Sequence, residues 1–137
     1  MLQKLQTRRG GFTLVEIMIV VAIIALLAAI AVPNFLRARK RSQATRVLED
    51  LRLIDAAVDQ YAIEANLVGG AAVPWVKVQA YLKVGSKLYN SNHTDLLGGD
   101  YGATQTVDVL PGVAAATFTA LSDVAPADFW SPFRILP

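Results

Sequence analysis

One glutamate stands where the chain can least tolerate a charge. Glu16 heads an apolar run from Ile17 to Val32, and no other charged residue lies between Phe12 and Val32. Two kinds of role are open to it. Thr13-x-x-Glu16 has the spacing of a capping box, in which the two side chains satisfy backbone donors at a helix start. A carboxylate in a first turn also suits the helix dipole. In a membrane helix, by contrast, a carboxylate costs about 2.5–3.5 kcal/mol at the centre on insertion scales, less near an interface, and is usually paired or functional.

The other residues that could do chemistry are sparse. There is no cysteine, which excludes disulfides and thiolate metal sites. His93 is the only histidine, so neither a catalytic triad nor a histidine metal pair can be built from this chain, and a solvated loop residue is expected. Asp95, Asp100, Asp108, Asp123 and Asp128 are oxygen donors, but their spacing matches no EF-hand loop, and they read as surface carboxylates. Gly98-Gly99 lacks the lysine and spacing of a phosphate loop and reads as a turn. Trp75, Trp130 and Phe133 are large enough to stack on a ligand; packing onto a long helix is their expected use in so small a core. No residue set here carries catalysis, and an enzyme is not expected.

The elements that must position these residues follow in order. Met1 to Gly11 is short, polar and basic, with Lys4, Arg8 and Arg9. The whole chain is formally +2; a product cut after Gly11 loses those three charges and falls to about −1 in side-chain charge. The basic balance is therefore no sign of nucleic-acid binding. Phe12 to Val32 is 21 residues, which as a helix spans about 30 Å, the hydrocarbon thickness of a bilayer. Three readings fit it. It can be a single membrane anchor. It can be a secretory signal with a small-residue site at Ala29-Ile30-Ala31 before Val32. Or it can be held in the membrane first and packed against copies of itself later. Basic residues flank the run on both sides, so the positive-inside rule does not orient it.

Pro33 is expected to kink or locally break the helix. Arg37, Arg39, Lys40 and Arg41 form a basic collar, read as a solvated or headgroup-facing cluster. Val47, Leu48, Leu51, Ile54, Val58, Tyr61, Ala62 and Ala65 then recur at helical steps as one apolar stripe. Arg46 attracts Asp50 four residues on, whereas Asp55 and Asp59 repel. The helix is expected to end near Asn66 because Gly69-Gly70 follow. A nearly continuous helix from Phe12 to Asn66 measures about 80 Å, too long for so small a domain to bury. Beyond it, Pro74 to Lys83 reads as a short helix, Ser86 to Gly99 as a loop, and Tyr101 to Leu110 as a strand closed by Pro111-Gly112. That strand would carry Ala103, Gln105, Val107 and Val109 on one side. Ala114 to Leu121 reads as a helix, and Asp123 to Pro137 as mostly irregular, pinned by Phe129, Trp130 and Phe133.

Gly10-Gly11-Phe12-Thr13-Leu14-Val15-Glu16 resembles the processing site of bacterial type IV pilins and the pseudopilins of type II secretion, and the match continues through the apolar run and Pro33-Asn34-Phe35. The resemblance implies a basic leader cut between Gly11 and Phe12 by a membrane prepilin peptidase, a methylated N-terminus at Phe12, and an assembly role for Glu16. The glutamate of one subunit would pair with the new amine of Phe12 on its neighbour. Weaker echoes lie in Leu51 to Tyr61 and in Asp95-Leu96-Leu97-Gly98-Gly99-Asp100-Tyr101, where the family reads closer to Asp-Pro-Trp-Gly-Asn-Pro-Tyr. Some major pseudopilins carry a calcium loop; calcium is the one cofactor candidate, and otherwise none is expected.

The expected architecture is α+β and pilin-like: a leader over 1–11, an apolar assembly helix over 12–33, and a head over 34–137 that includes the amphipathic half of the helix to about 66. The expected function is a structural subunit of a type IV pilus or a type II secretion pseudopilus. It would sit first in the cytoplasmic membrane with its head in the periplasm, then in a filament. Its partners would be copies of itself, other pilins or pseudopilins, the peptidase, an inner-membrane assembly platform and lipid. The alternative of a different class is a monomeric binding domain, either anchored or secreted through a signal peptide.

Overall fold

The computed structural model describes residues 10–137. The basic leader residues Lys4, Arg8 and Arg9 lie outside them. One long helix, α1 (Leu14–Glu64), opens the chain. It starts where the sequence places a cap and continues through Pro33, so the local break expected there does not occur. Pro33 has no N–H, which leaves the carbonyl one turn back, on Ala29, without its usual helical donor.

The chain divides into two compact units, one ending at Leu36 and one covering Arg37–Pro137. In the first, every described residue is exposed, including all the large apolar side chains from Phe12 to Leu36. In the second, the same helix is amphipathic. Ala44, Val47, Leu51, Ile54, Ala57, Val58 and Ala62 are buried, with Leu48 and Tyr61 half-buried. The stripe thus matches the periodicity but recruits Ala44 and Ala57 and leaves out Ala65, which is exposed. Small residues at those steps let the head's backbone approach the helix.

The helix ends as expected, but by a different residue. Asn66 takes a left-handed conformation (φ 50°). The N–H of Leu67 donates to the carbonyl of Ala62 at 2.9 Å and that of Asn66 to Ile63 at 3.3 Å. This pair of bonds is a Schellman termination, with asparagine where glycine is commonest. Gly69-Gly70 follow the stop and do not make it.

The rest of the head is built from short pieces. β1 (Ala72–Pro74) runs into α2 (Trp75–Ala80); α3 (Lys87–Asn90) follows; β2 (Thr104–Thr106) pairs antiparallel with β1. β3 (Gly112–Val113) leads to α4 (Ala115–Leu121), and a 3-10 helix (Ala127–Trp130) leads to β4 (Arg134–Ile135), which pairs parallel with β3. The strand read over Tyr101 to Leu110 shrinks to three residues. Asp108 turns the chain with φ 61°, and Val109 bridges back to Thr106. Gln105 and Val107 are buried while Ala103 and Val109 are exposed, so the alternation fails at both ends. α2 is shorter than read, with Pro74 preceding it rather than opening its first turn. α3 lies inside the segment read as loop, started by Ser86, whose Oγ accepts from the Tyr89 N–H at 3.1 Å. The C-terminal segment, read as mostly irregular, contributes the 3-10 helix and β4.

Large aromatics close the head as packing groups. Trp130 is fully buried and its Nε1 donates to the carbonyl of Ala125 at 3.1 Å. Phe129 meets Trp130 edge to face, with ring centroids 5.2 Å apart. Trp75 and Phe133 are buried as well.

Candidate functional site

The first turn of α1 is built by two side chains. Thr13 caps the helix: its Oγ1 accepts the Glu16 N–H at 3.2 Å. Glu16 reaches back, and its Oε2 accepts both the Thr13 N–H and the Thr13 Oγ1–H, each at 2.7 Å. This is the reciprocal capping box that the spacing implied. Its consequence lies upstream. α1 begins at Leu14, with its first helical bond running from the Ile17 N–H to the carbonyl of the capping Thr13 at 3.3 Å, so Gly10 to Thr13 stay outside the helix. Phe12 is 84% exposed, and among the described residues no atom lies within 4 Å of where a side chain on Gly10 or Gly11 would begin. Among the described residues nothing covers the Gly11–Phe12 bond. The Ala29–Val32 segment, the competing signal-peptidase site, lies inside regular helix instead.

The capping bonds engage only Oε2. Among the described residues Oε1 has no hydrogen-bond partner, so the carboxylate can hold its own helix start and a second cation at once. On either side of Glu16, Leu14, Ile17, Met18, Val21, Ala22 and Ala25 line a shallow apolar groove of about 360 Å³ along one helix face. Ala22 and Ala25 keep its floor low, as small residues do where helices approach closely. The helix is long and apolar enough to cross a membrane.

His93 was read as solvated, but the structure ties it down. Its Nδ1 meets Asp100 Oδ1 at 2.7 Å and its ring stands edge-on to Trp75, with centroids 6.0 Å apart. Asp100 also accepts the Gly102 N–H, and that bond, with His93 second, holds its carboxyl below the ordinary carboxylate range. Asp95 departs from the surface reading altogether. It is only 7% exposed. Its Oδ1 accepts the N–H groups of Leu97 at 2.7 Å and Gly99 at 2.9 Å, and Thr117 donates to its Oδ2. These bonds tie the 95–99 turn to α4. Gly98 turns with φ +86°, and a side chain at Gly99 would run into Thr117, Asp95 and the Ala114 methyl.

Sequence reasoning missed this anchor because an aspartate followed by Leu-Leu-Gly-Gly carries no sign of what will cover it. Asp108 and Asp128 are exposed, as expected, and Asp123 pairs with Lys40 at 3.0 Å. Among the described residues no group of three or more histidines and carboxylates gathers to hold a metal.

A polar cleft of about 590 Å³ lies between α1 and α3, and Arg46, Glu49, Asp50 and Lys87 face it. Asp50 is half-buried and accepts from the Tyr101 hydroxyl at 3.2 Å. Burial pushes its carboxyl up, against the pull of Tyr101 and Arg46. Burial and the nearby carboxylates push the Tyr101 hydroxyl up as well. The expected attraction of Arg46 for Asp50 acts without forming a salt bridge.

Comparison with known proteins agrees with the first turn. Residues 6–32 match the model of the prokaryotic N-terminal methylation motif. The chain is 32% identical over 114 residues to the type IV major fimbrial protein FimA of Dichelobacter nodosus, covering 82% of this chain and 63% of that one. It is 44% identical over 71 residues to the type IV major pilin PilA of Myxococcus xanthus, covering 47% of this chain and 32% of PilA. It is 37% identical over 57 residues to the type II secretion system core protein G of Klebsiella pneumoniae, covering 42% and 41% of the two. The chain thus spans 63% of FimA and less than half of the other two. No solved structure matches it. Its curated homologues thus include type IV pilins and type II secretion core proteins, and its fold is α+β and pilin-like, with a long apolar N-terminal helix and a small head.

Proposed function

We propose that this pilin-like chain is the precursor of a structural filament subunit, in a type IV pilus or a type II secretion pseudopilus, and not an enzyme. A prepilin peptidase cuts it between Gly11 and Phe12 and methylates Phe12. The carrying observation is the capped start of α1. It leaves the Gly11–Phe12 bond in exposed, non-helical backbone, directly before an apolar helix that no described residue covers.

Before cleavage the apolar helix lies in the inner membrane, the leader on the cytoplasmic side and the head in the periplasm. After cleavage the Phe12 amine carries a positive charge that can partner Glu16. The free Oε1 of Glu16 takes that amine from a neighbouring subunit, while Ile17 to Val32 pack against their counterparts. Lipid and a neighbouring helix are equally apolar, so close packing and the charge pair must supply the gain. The assembly platform and other pilins or pseudopilins complete the set of partners.

Intact mass and N-terminal sequencing of membrane-extracted protein test the processing step. The expected mature chain begins at Phe12 and carries one added methyl group. A mature chain beginning at Val32, or an uncut chain beginning at Met1, would sink the filament reading in favour of a secreted or anchored monomer.

A further inference from the structure

We propose that Arg37, Arg39 and Arg41 form a binding surface for anionic phospholipid headgroups on the head side of the membrane. Four cations stand in the five residues after Leu36, and the structure separates them into two kinds. Lys40 turns toward the head, where its Nζ lies 3.0 Å from both oxygens of Asp123. The three arginines are exposed and make no salt bridge among the described residues. At about 100° per residue, Arg37 and Arg41 fall some 40° apart on the helix and Arg39 nearly opposite them. The head thus neutralises the one cation on its own side and leaves the others pointing outward around the helix.

Their position selects the partner. Phe35 and Leu36 are exposed apolar residues, so the apolar surface of α1 ends at Leu36 and the arginines follow at once. Arg37 lies about 7.5 Å of helix beyond Val32, and a headgroup layer is of the order of 5–8 Å thick. Side chains on a helix tilt toward its N-terminus, so Arg39 and Arg41 reach back toward the bilayer. A guanidinium matches a phosphate with two parallel hydrogen bonds and gives up its water more easily than an ammonium. Cations on this side of a span run against the positive-inside pattern, and phosphate binding gives them a use: it holds the precursor at a fixed depth until it is extracted into a filament.

This surface rests on the reading that the apolar helix lies in a bilayer. The full chain would be reconstituted into vesicles of phosphatidylcholine alone and of phosphatidylcholine mixed with phosphatidylglycerol. After mild detergent extraction, mass spectrometry would identify the lipids that stay bound. The chain should insert into both vesicles and retain phosphatidylglycerol selectively. That preference should fall about five-fold for each arginine changed to glutamine, fall with added salt, and survive Lys40→Gln. Equal retention of both lipids, or an unchanged preference in the R37Q/R39Q/R41Q chain, would overturn the assignment. So would oligomers in neutral vesicles that depend on the same arginines, since these would then serve a neighbouring copy. Failure to insert into either vesicle would remove the membrane reading itself, and is distinguishable because no chain would float with the lipid.

Discussion

Glu16 combines two duties that substitution can separate. Glutamine at the same position keeps the capping-box geometry, because it too can accept from Thr13, but carries no charge. Glu16→Gln and Glu16→Ala chains should both insert and be cut, as read by intact mass. Both should give far fewer sedimentable filaments than wild type. Normal filament yield from the glutamine variant would mean that capping, and not charge pairing, is what assembly requires. Asp95 has a duty of another kind. Asp95→Ala would leave the N–H groups of Leu97 and Gly99 and the Thr117 hydroxyl without their acceptor. The head should lose about 1–3 kcal/mol, visible as a lower denaturant midpoint.

Asp50 has the opposite sign of linkage from a paired carboxylate. Its folded pKa lies above the ordinary value of 3.8, so its favourable contribution is full below that value and is lost as pH rises through the folded pKa. Melts across the acid range should therefore show a smaller decline with rising pH for Asp50→Asn than for wild type; identical slopes would contradict the shift.

At the scale of elements, the head hangs on how α1 begins, ends and is braced. The left-handed Asn66 predicts opposite effects for two substitutions. Asn66→Gly should be neutral or stabilising, and Asn66→Val should cost about 1–2 kcal/mol, because a β-branched residue resists positive φ. Thermal melts of the two variants decide this; equal melting temperatures would argue against the Schellman stop. The Lys40–Asp123 brace is worth less. Both side chains are about half exposed, so Lys40→Ala should cost less than about 1 kcal/mol. Its use is to set which cations of the collar remain available.

The whole molecule places its buried residues unevenly. No described residue before Ala44 is buried, and the entire core belongs to the Arg37–Pro137 unit. A fragment of those residues should therefore be soluble and unfold cooperatively, followed by circular dichroism on heating. A fragment that melts without a transition would mean that the apolar helix is part of the folding unit. The complementary expectation concerns residues 12–36. Their apolar side chains lie open on all faces, a state a water-soluble monomer does not tolerate over so large a patch, so the full chain should partition into detergent or membrane whenever it is not in a filament.

The local features were legible because each is carried by a few neighbouring residues. Thr13 and Glu16 sit at capping-box spacing, the apolar run is unbroken, and Val47, Leu51, Ile54 and Val58 repeat at helical steps. Sequence alone therefore determined the long helix, its two unlike halves and the capping box that starts it. Tertiary structure decided the rest. The burial of Asp95 depends on Thr117, 22 residues away, and which cation of the collar is paired depends on Asp123, 83 residues from Lys40. The strand read over Tyr101 to Leu110 is three residues long because its antiparallel partner β1 is itself three residues long and Asp108 turns the chain. Periodicity reports what one segment prefers, whereas a carboxylate's partner or a strand's length is set by whatever the fold brings alongside.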